Sequence, residues 1–357
     1  MQINLIKVIL PSIIAFVVGI LVTPILTRYL YKYKMWKKKV KDVAIDGGGT
    51  PIFSSLHADR EVGTPRMGGI VIWISALIVT MAFWILGHSL GGVFSKLDYL
   101  SRDQTWIPLT VLILGALVGL IDDVLEIKGG GGNYAGGLSL RKRLFFVGLI
   151  SFLISFWFYF KLDVSSVNVL FLGQLNLGLY FIPFFILVVV FIYSGGIIDG
   201  IDGLSGGVFA SIFFAYAGIA FFQNQINLAA FCTVIVGSIL AFLWFNIPPA
   251  RFYMSETGSM ALTVTLAIIA FMTDSMGDGK GMAVLPIIAL PLIVTSVSAI
   301  IQVLSKKLRN GKKVFIIAPL HHHFEAIGWP AYKVTMRYWV VSIVCAIFGV
   351  ILALIKL

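Results

Sequence analysis

Carboxylates at the ends of apolar segments are the residues of this sequence best placed to do chemistry. They are Asp122, Asp123, Asp199, Asp202 and Glu256. An ionised side chain in or beside a membrane-spanning segment is costly, so it usually marks a bound cation, a transport pathway or a reacting group. We therefore expect the segments that carry these carboxylates to form the functional site.

Asp122 and Asp123 follow the apolar run 106–120 and are predicted to open a loop. That loop continues through the glycines 129–132 to the basic residues 141–143. Acidic groups at one end and basic groups at the other suit a metal-bound polyphosphate. The alternative is a solvated helix end followed by basic residues that only fix the membrane topology.

Asp199 and Asp202 lie in a short glycine-rich connection between two apolar runs. If the turn is helical, their i and i+3 spacing places them on one face, and we favour a ligand-binding role. Helix capping is the alternative, although it explains one aspartate better than two. Glu256 stands just before a further apolar run, where it either holds a cation or stabilises the helix from its first turn.

Three consecutive histidines, residues 321–323, form another candidate. Consecutive helical residues point about 100° apart, so we do not expect all three to bind one metal ion. Hydrogen bonds from the rings to a diphosphate or a sugar are the favoured interpretation, and a chance polar run is the alternative.

The composition indicates an all-α, polytopic membrane protein. Hydrophobic residues make up 59% of the 357 residues, only 12% are charged and the mean hydropathy is +0.98, whereas soluble domains are about 25% charged. The two cysteines, Cys232 and Cys345, indicate neither a disulfide framework nor a metal site. Nucleic acid is not an expected partner, despite the net charge of +11, because membrane topology explains the basic residues.

Ten apolar runs approach the length needed to cross ~30 Å of hydrocarbon. They cover residues 8–26, 69–86, 106–120, 144–160, 179–198, 204–222, 228–245, 259–272, 283–304 and 338–355, and the eighth has the weakest signal. The first is interpreted as a retained span, because no small-residue cleavage site follows it. We predict one transmembrane domain, residues 1–357, with catalytic cytoplasmic loops.

The distribution of basic residues predicts the orientation. The connections that follow spans one, three, five, seven and nine, here called the odd-numbered connections, contain 21 of the 27 lysines and arginines. The positive-inside rule therefore places those connections in the cytoplasm and both termini outside. The carboxylates and histidines described above then all lie on the cytoplasmic side.

The combined motifs resemble the polyprenyl-phosphate N-acetylhexosamine-1-phosphate transferase superfamily, and within it the phospho-N-acetylmuramoyl-pentapeptide transferases. Asp122-Asp123 is similar to the aspartate pair of the superfamily, the segment 199–204 to its second acidic motif, and Glu256 occupies its third acidic position. The segment 321–325 is most similar to the muramoyl-pentapeptide branch. The resemblance covers nearly the whole chain.

The resemblance implies transfer of phospho-N-acetylmuramoyl-pentapeptide from its UDP carrier to undecaprenyl phosphate with Mg²⁺ as cofactor, in a bacterial inner membrane. The products would be lipid I and UMP, and a homodimer is left open. Glu256 and Asp122 are the implied metal ligands, and Asp123 or Asp122 would deprotonate or position the lipid phosphate. Catalytic roles are implied for Asp122, Asp123, Glu256 and His321, and substrate-binding roles for Asp199, Asp202, Asn246, Tyr253, Gln302 and His322.

The sequence departs from the family pattern at several positions. Glu256 replaces an aspartate, Gly196 replaces an asparagine, Arg66 replaces a threonine, and Glu61 and Glu126 replace lysines. These changes leave open a relative that uses another hexosamine donor such as UDP-GlcNAc. A secondary transporter is a remote alternative, since intramembrane carboxylates also suit ion coupling.

Overall fold

The computed structural model describes residues 1–37, 62–129, 137–275 and 279–355. Glu61 and the glycines 130–132, which the sequence singled out, lie outside these ranges. The helices are α1 (Gln2–Lys32), α2 (Ile70–Leu90), α3 (Gly92–Leu97), α4 (Trp106–Lys128), α5 (Leu140–Lys161), α6 (Phe181–Ser194), α7 (Leu204–Phe222), α8 (Ile226–Asn246), α9 (Ser255–Ser275), α10 (Gly281–Ile288), α11 (Leu290–Leu308), α12 (Leu320–Ala326) and α13 (Ala331–Leu354).

The described chain has one sheet, a hairpin of β1 (Ser166–Val169) and β2 (Gly173–Asn176), which pair antiparallel. Short 3-10 turns, Gly178–Tyr180 and Gly195–Ile198, flank α6. Helices dominate because backbone amides have no water to bond in hydrocarbon, so each span must satisfy them internally.

Ten helices of the described chain are long and apolar enough to cross a membrane: α1, α2, α4, α5, α6 with its flanking turns, α7, α8, α9, α11 and α13. The prediction of an all-α protein with ten spans is thus confirmed, while the orientation of the termini stays a prediction. Most helices are longer than their apolar runs. The prediction that Asp122 and Asp123 open a loop is therefore wrong, because both lie within the last two turns of α4.

The central helix of the bundle is α9, whose sequence signal was the weakest of the ten. Every residue from Thr257 to Asp274 is buried, whereas α1 and α13 expose most of their residues. A helix surrounded by protein does not need lipid-compatible side chains, so α9 tolerates several threonines and serines. Its modest hydropathy therefore reflects its central position.

The ninth predicted span, residues 283–304, is wrong as one helix, because it is divided at Ala289 into α10 and α11. Pro291 has no N–H to donate to the carbonyl of Ile287, so the regular helical hydrogen bonding is interrupted there. The second part, α11, extends to Leu308 and carries Gln302 towards the end of the bundle that holds the carboxylates.

Helix α1 is attached to α8 by hydrogen bonds between the helices. The hydroxyl of Ser12 donates to the carbonyl of Thr233 at 2.7 Å, and the hydroxyl of Thr233 donates to the carbonyl of Val8 at 2.6 Å. The helices approach so closely that a Cβ at Gly237 would overlap the carbonyl oxygen of Ser12. Small residues at such contacts are typical of packed membrane helices.

We expect Gly237→Ala to destabilise the protein by about 1–3 kcal/mol, because the added methyl group forces α1 away from α8. The measurement is the thermal unfolding midpoint of the detergent-solubilised protein. Gly218→Ala is the matched control, since no atom lies within 4 Å of a Cβ at that helical glycine. Equal midpoints for the two variants would contradict the close packing of α1 on α8.

Candidate active site

The carboxylate of Asp123 binds the first turn of α9 and joins that helix to α4. It accepts hydrogen bonds from the backbone N–H of Glu256 at 3.3 Å and of Thr257 at 3.0 Å, and from the hydroxyl of Thr257 at 2.6 Å. Asp123 has no exposed surface. A carboxylate at a helix N-terminus is stabilised by the unpaired N–H groups and the helix dipole, so Asp123 positions Glu256.

Asp122 and Glu256 converge on the guanidinium group of Arg143. Nη1 of Arg143 lies 2.5 Å from Oε1 of Glu256 and 3.9 Å from Oδ2 of Asp122. The hydroxyl of Tyr193 donates to Oε2 of Glu256 at 3.4 Å, and Oδ1 of Asp122 accepts from the N–H of Leu138 at 2.5 Å. The positive charge of Arg143 is therefore shared by the carboxylates of Asp122 and Glu256. Residues from α4, α5, α6 and α9 meet at this point.

Asp199 and Asp202 do not share the face of a helical turn. The backbone at Asp199 has φ −75° and ψ 61°, outside the helical region. Asp199 accepts from the N–H of Ser255 and from the hydroxyl of Ser205, both at 2.7 Å, whereas Asp202 accepts from the N–H of Ala250 at 3.1 Å. Burial raises the pKa of the Asp199 carboxyl, although these two hydrogen bonds oppose the shift.

The histidines lie against the segment that carries Asp199 and Asp202. A Cβ at Gly200 would lie 2.5 Å from Nε2 of His321 and 2.7 Å from Nε2 of His322, so only glycine fits there. The two rings are 4.2 Å apart, and Nδ1 of His322 is 2.7 Å from Oε2 of Glu325. The structure thus brings the second acidic motif and two of the three histidines together.

The third histidine is directed elsewhere, as the helical spacing predicted. Nδ1 of His323 accepts a hydrogen bond from the N–H of Ile316 at 3.3 Å, and its ring packs against Phe315. The three histidines therefore do not converge on one point.

The side chains of Asn246 and Gln302 are bonded to backbone groups. Asn246 accepts from the N–H of Gly203 at 2.9 Å and donates to the carbonyl of Phe252 at 2.8 Å. Gln302 accepts from the N–H groups of Val314 and Phe315, both at 3.0 Å. These contacts hold the segments around the site in place.

Tyr253 is half-buried in the segment between α8 and α9. Its N–H donates to the carbonyl of Pro65 at 2.9 Å, and its carbonyl accepts from the N–H of Gly68 at 2.7 Å. The segment before α2, which contains Pro65 and Gly68, is thereby attached to the segment before α9.

Two departures from the family pattern compensate each other. Glu126, at a position where lysine was expected, forms an ion pair with Arg66, which replaces a threonine. Lys37 reaches the other carboxylate oxygen of Glu126 at 3.0 Å. A third departure, Gly196, lies beside Ser259 of α9, whose Cβ would be 3.3 Å from a Cβ at that glycine.

Sequence reasoning did not identify Arg143, Tyr193 or Thr257 individually. Arg143 belongs to the basic group 141–143, for which a polyphosphate site and membrane topology were both left open. Tyr193 lies in an apolar run, and Thr257 is one of several hydroxyl residues in its segment. Of these three residues, only Thr257 could have been suspected from the sequence, because hydroxyl residues are common near helix N-termini.

The site suits a hard divalent cation held by few protein ligands. Asp122 and Glu256 offer carboxylate oxygens around a position where a cationic group already lies. No group of three or more histidine, cysteine or acidic residues that could hold a metal ion occurs among the described residues. That is compatible with Mg²⁺, which is often bound by one or two carboxylates together with substrate phosphates.

Comparisons with known proteins show what the chain is similar to. Glycosyl transferase family 4 matches residues 105–274, which extend from the beginning of α4 almost to the end of α9. The phospho-N-acetylmuramoyl-pentapeptide-transferase of Chloroflexus aurantiacus is 32% identical over 354 residues, covering 96% of this chain and 88% of that protein. Proteins of the same name from a Geobacillus species and from Clostridium perfringens are both 31% identical, with coverage of 95% or more of each chain.

We expect Thr257→Val to destabilise the protein by roughly 1–3 kcal/mol, because the buried carboxylate of Asp123 loses one of its donors. Thr263→Val is the matched control on the same helix, since the hydroxyl of Thr263 donates only to carbonyls of its own helix and its loss should be nearly neutral. Thermal unfolding in detergent measures both changes. Equal effects of the two substitutions would show that the bond to Asp123 is unimportant for stability.

Proposed function

The chain belongs to the phospho-N-acetylmuramoyl-pentapeptide transferase family, and on that premise we propose that it transfers phospho-N-acetylmuramoyl-pentapeptide from its UDP carrier to undecaprenyl phosphate. The products are lipid I, a precursor of peptidoglycan, and UMP. The chain is a multi-pass membrane protein, and its proposed location is a bacterial inner membrane with the site facing the cytoplasm.

The observation that carries this proposal is the meeting of Asp122 and Glu256 at Arg143. The bond from the N–H of Ser255 to Asp199 connects this cluster to the segment that packs on His321 and His322. In the proposed reaction an anionic lipid phosphate attacks an anionic diphosphate. Repulsion between these charges is a large part of the barrier, and cations next to carboxylates can offset it. The site contains both kinds of group.

Asp122 and Glu256 are the proposed ligands of Mg²⁺, which would neutralise phosphate charge and polarise the reacting phosphoryl group. Asp122 is the better candidate to position or deprotonate the lipid phosphate, because both oxygens of Asp123 are bonded to α9. We therefore assign Asp123 a positioning role and Asp122 a direct one.

His321 and His322 are proposed to hold the diphosphate or the sugar, since imidazole N–H groups donate well to anionic oxygens. On the nucleotide side, Tyr253 is proposed to stack on uracil. Asp199, Asp202, Asn246 and Gln302 would shape that side of the site, because their bonds to backbone groups fix the surrounding segments.

The donor can be tested directly with the purified chain in detergent, radiolabelled undecaprenyl phosphate and Mg²⁺. UDP-N-acetylmuramoyl-pentapeptide and UDP-GlcNAc are supplied in separate reactions, and lipid-linked products are separated by chromatography. We expect a labelled product with the muramoyl-pentapeptide donor. A product from UDP-GlcNAc alone would instead identify another hexosamine-phosphate transferase and would overturn the proposal.

We expect Asp122→Asn to lower turnover by roughly 100-fold or more, because a charge that acts in the transition state is removed. Membrane insertion and the thermal unfolding midpoint should change little, since the amide still offers an oxygen to the N–H of Leu138. Asp103→Asn is the matched control, because Asp103 is exposed outside the spanning helices. Near-normal turnover of the Asp122→Asn protein would exclude this carboxylate from the mechanism.

A further inference from the structure

Arg143 occupies the position between two carboxylates that a divalent cation would also occupy. We propose that Arg143 is an internal counter-cation of Asp122 and Glu256, that a divalent metal displaces its guanidinium group, and that the displaced group then binds the diphosphate of the donor. The second half of this inference rests on the proposed function, whereas the competition between Arg143 and the metal does not.

The first support is the arrangement of charges. Arg143 makes its shortest contact with Glu256, at 2.5 Å, and lies 3.9 Å from Asp122. Mg²⁺ binds carboxylate oxygens at about 2.0–2.1 Å and requires a regular octahedral arrangement. A metal at that distance from Oε1 of Glu256 would lie less than about 5 Å from Nη1 of Arg143. Repulsion between the two positive charges therefore favours movement of the flexible guanidinium group away from the metal.

The second support is a pair of buried polar atoms that have no hydrogen-bond partner among the residues that the structure describes. They are Nε of Arg143 and the hydroxyl oxygen of Ser255. Ser255 is only 5% exposed and directly precedes Glu256. Buried donors are almost always satisfied in native proteins, and an orphan at a functional site points to a missing ligand. A phosphate oxygen is the acceptor that suits both an N–H of arginine and a hydroxyl group.

The location of Arg143 allows the exchange of partners. It lies in the first turns of α5, its side chain is 26% exposed, and the backbone N–H is fixed by the carbonyl of Ser139 at 3.0 Å. The backbone is therefore anchored while the long side chain can swing. Without metal, the guanidinium offsets one of two negative charges. With metal, it is released at the moment when an anionic diphosphate needs a donor.

The test measures metal binding without any substrate. The full chain in detergent is stripped of metal with a chelator, and Mn²⁺ binding is followed by the electron paramagnetic resonance signal of the free ion. We expect Arg143→Gln to bind Mn²⁺ about tenfold more tightly than the unaltered chain, because a neighbouring positive charge disappears. Arg102→Gln, an exposed change of the same charge outside the spanning helices, should leave the affinity unchanged. Unchanged or weaker Mn²⁺ binding by the Arg143→Gln protein would overturn the proposed competition.

A second measurement tests the release of the guanidinium towards phosphate. At saturating Mn²⁺, calorimetry with UDP should show about tenfold weaker binding to the Arg143→Gln protein, the effect of losing charge-assisted hydrogen bonds. Arg143→Lys keeps the charge but loses Nε, so we expect nearly unaltered Mn²⁺ affinity and weaker UDP binding. UDP binding that is unaffected by both substitutions would overturn this step.

These results are distinguishable from a failure of the proposed function. If the chain used a different donor, the transfer assay would fail with UDP-N-acetylmuramoyl-pentapeptide, while the Mn²⁺ measurement would still report the competition for Asp122 and Glu256. Conversely, a chain with the proposed activity but no competition would show equal Mn²⁺ affinities for the unaltered and Arg143→Gln proteins.

Discussion

The site depends on one buried interaction, the bond between the carboxylate of Asp123 and the first turn of α9. Asp123 is fully buried, and three donors from Glu256 and Thr257 satisfy it. A buried carboxylate without such partners would be strongly destabilising, so the position of α4 along α9 is fixed. Asp122, about 100° further around α4, is thereby directed towards Leu138 and Arg143. One residue of the pair serves the structure, which leaves the other available for the chemistry proposed for it.

A second carboxylate, that of Asp199, accepts a hydrogen bond from the start of the same helix. Asp199 accepts the N–H of Ser255, whose backbone has φ +58°. The first turn of α9 is therefore bound by one carboxylate from α4 and one from the connection between α6 and α7, and the side chain of Glu256 extends from a rigid base. Such support matters because functional groups must be held within fractions of an ångström of their working geometry. The central, almost wholly buried α9 supplies that rigidity.

Some features of this arrangement could be predicted because they leave a recognisable pattern in the sequence, whereas others leave none. Long apolar runs identified ten spans, because hydrocarbon imposes a length and a composition. The division at Ala289 was missed, since a proline inside an apolar run changes the helix without changing its hydropathy. The glycine-rich connection with Asp199 and Asp202 and the histidines at 321–323 were identified as separate candidates, and only the folded chain brings that connection together with His321 and His322. Arg143 was missed because a basic residue at a helix end has two explanations, topology and catalysis, which sequence alone does not separate.

Several departures from the family pattern involve charged residues that form ion pairs in the folded chain. A glutamate in place of lysine at position 126 would leave an uncompensated charge near the site, but Arg66 replaces a neutral residue and pairs with it. Glu256 is one methylene longer than the aspartate usual at its position, and Oε1 contacts Arg143 at 2.5 Å. A longer acid that reaches a resident guanidinium alters how the pair of carboxylates is neutralised in the absence of metal. The proposed competition between Arg143 and a divalent cation depends on that difference, whereas the reaction class does not.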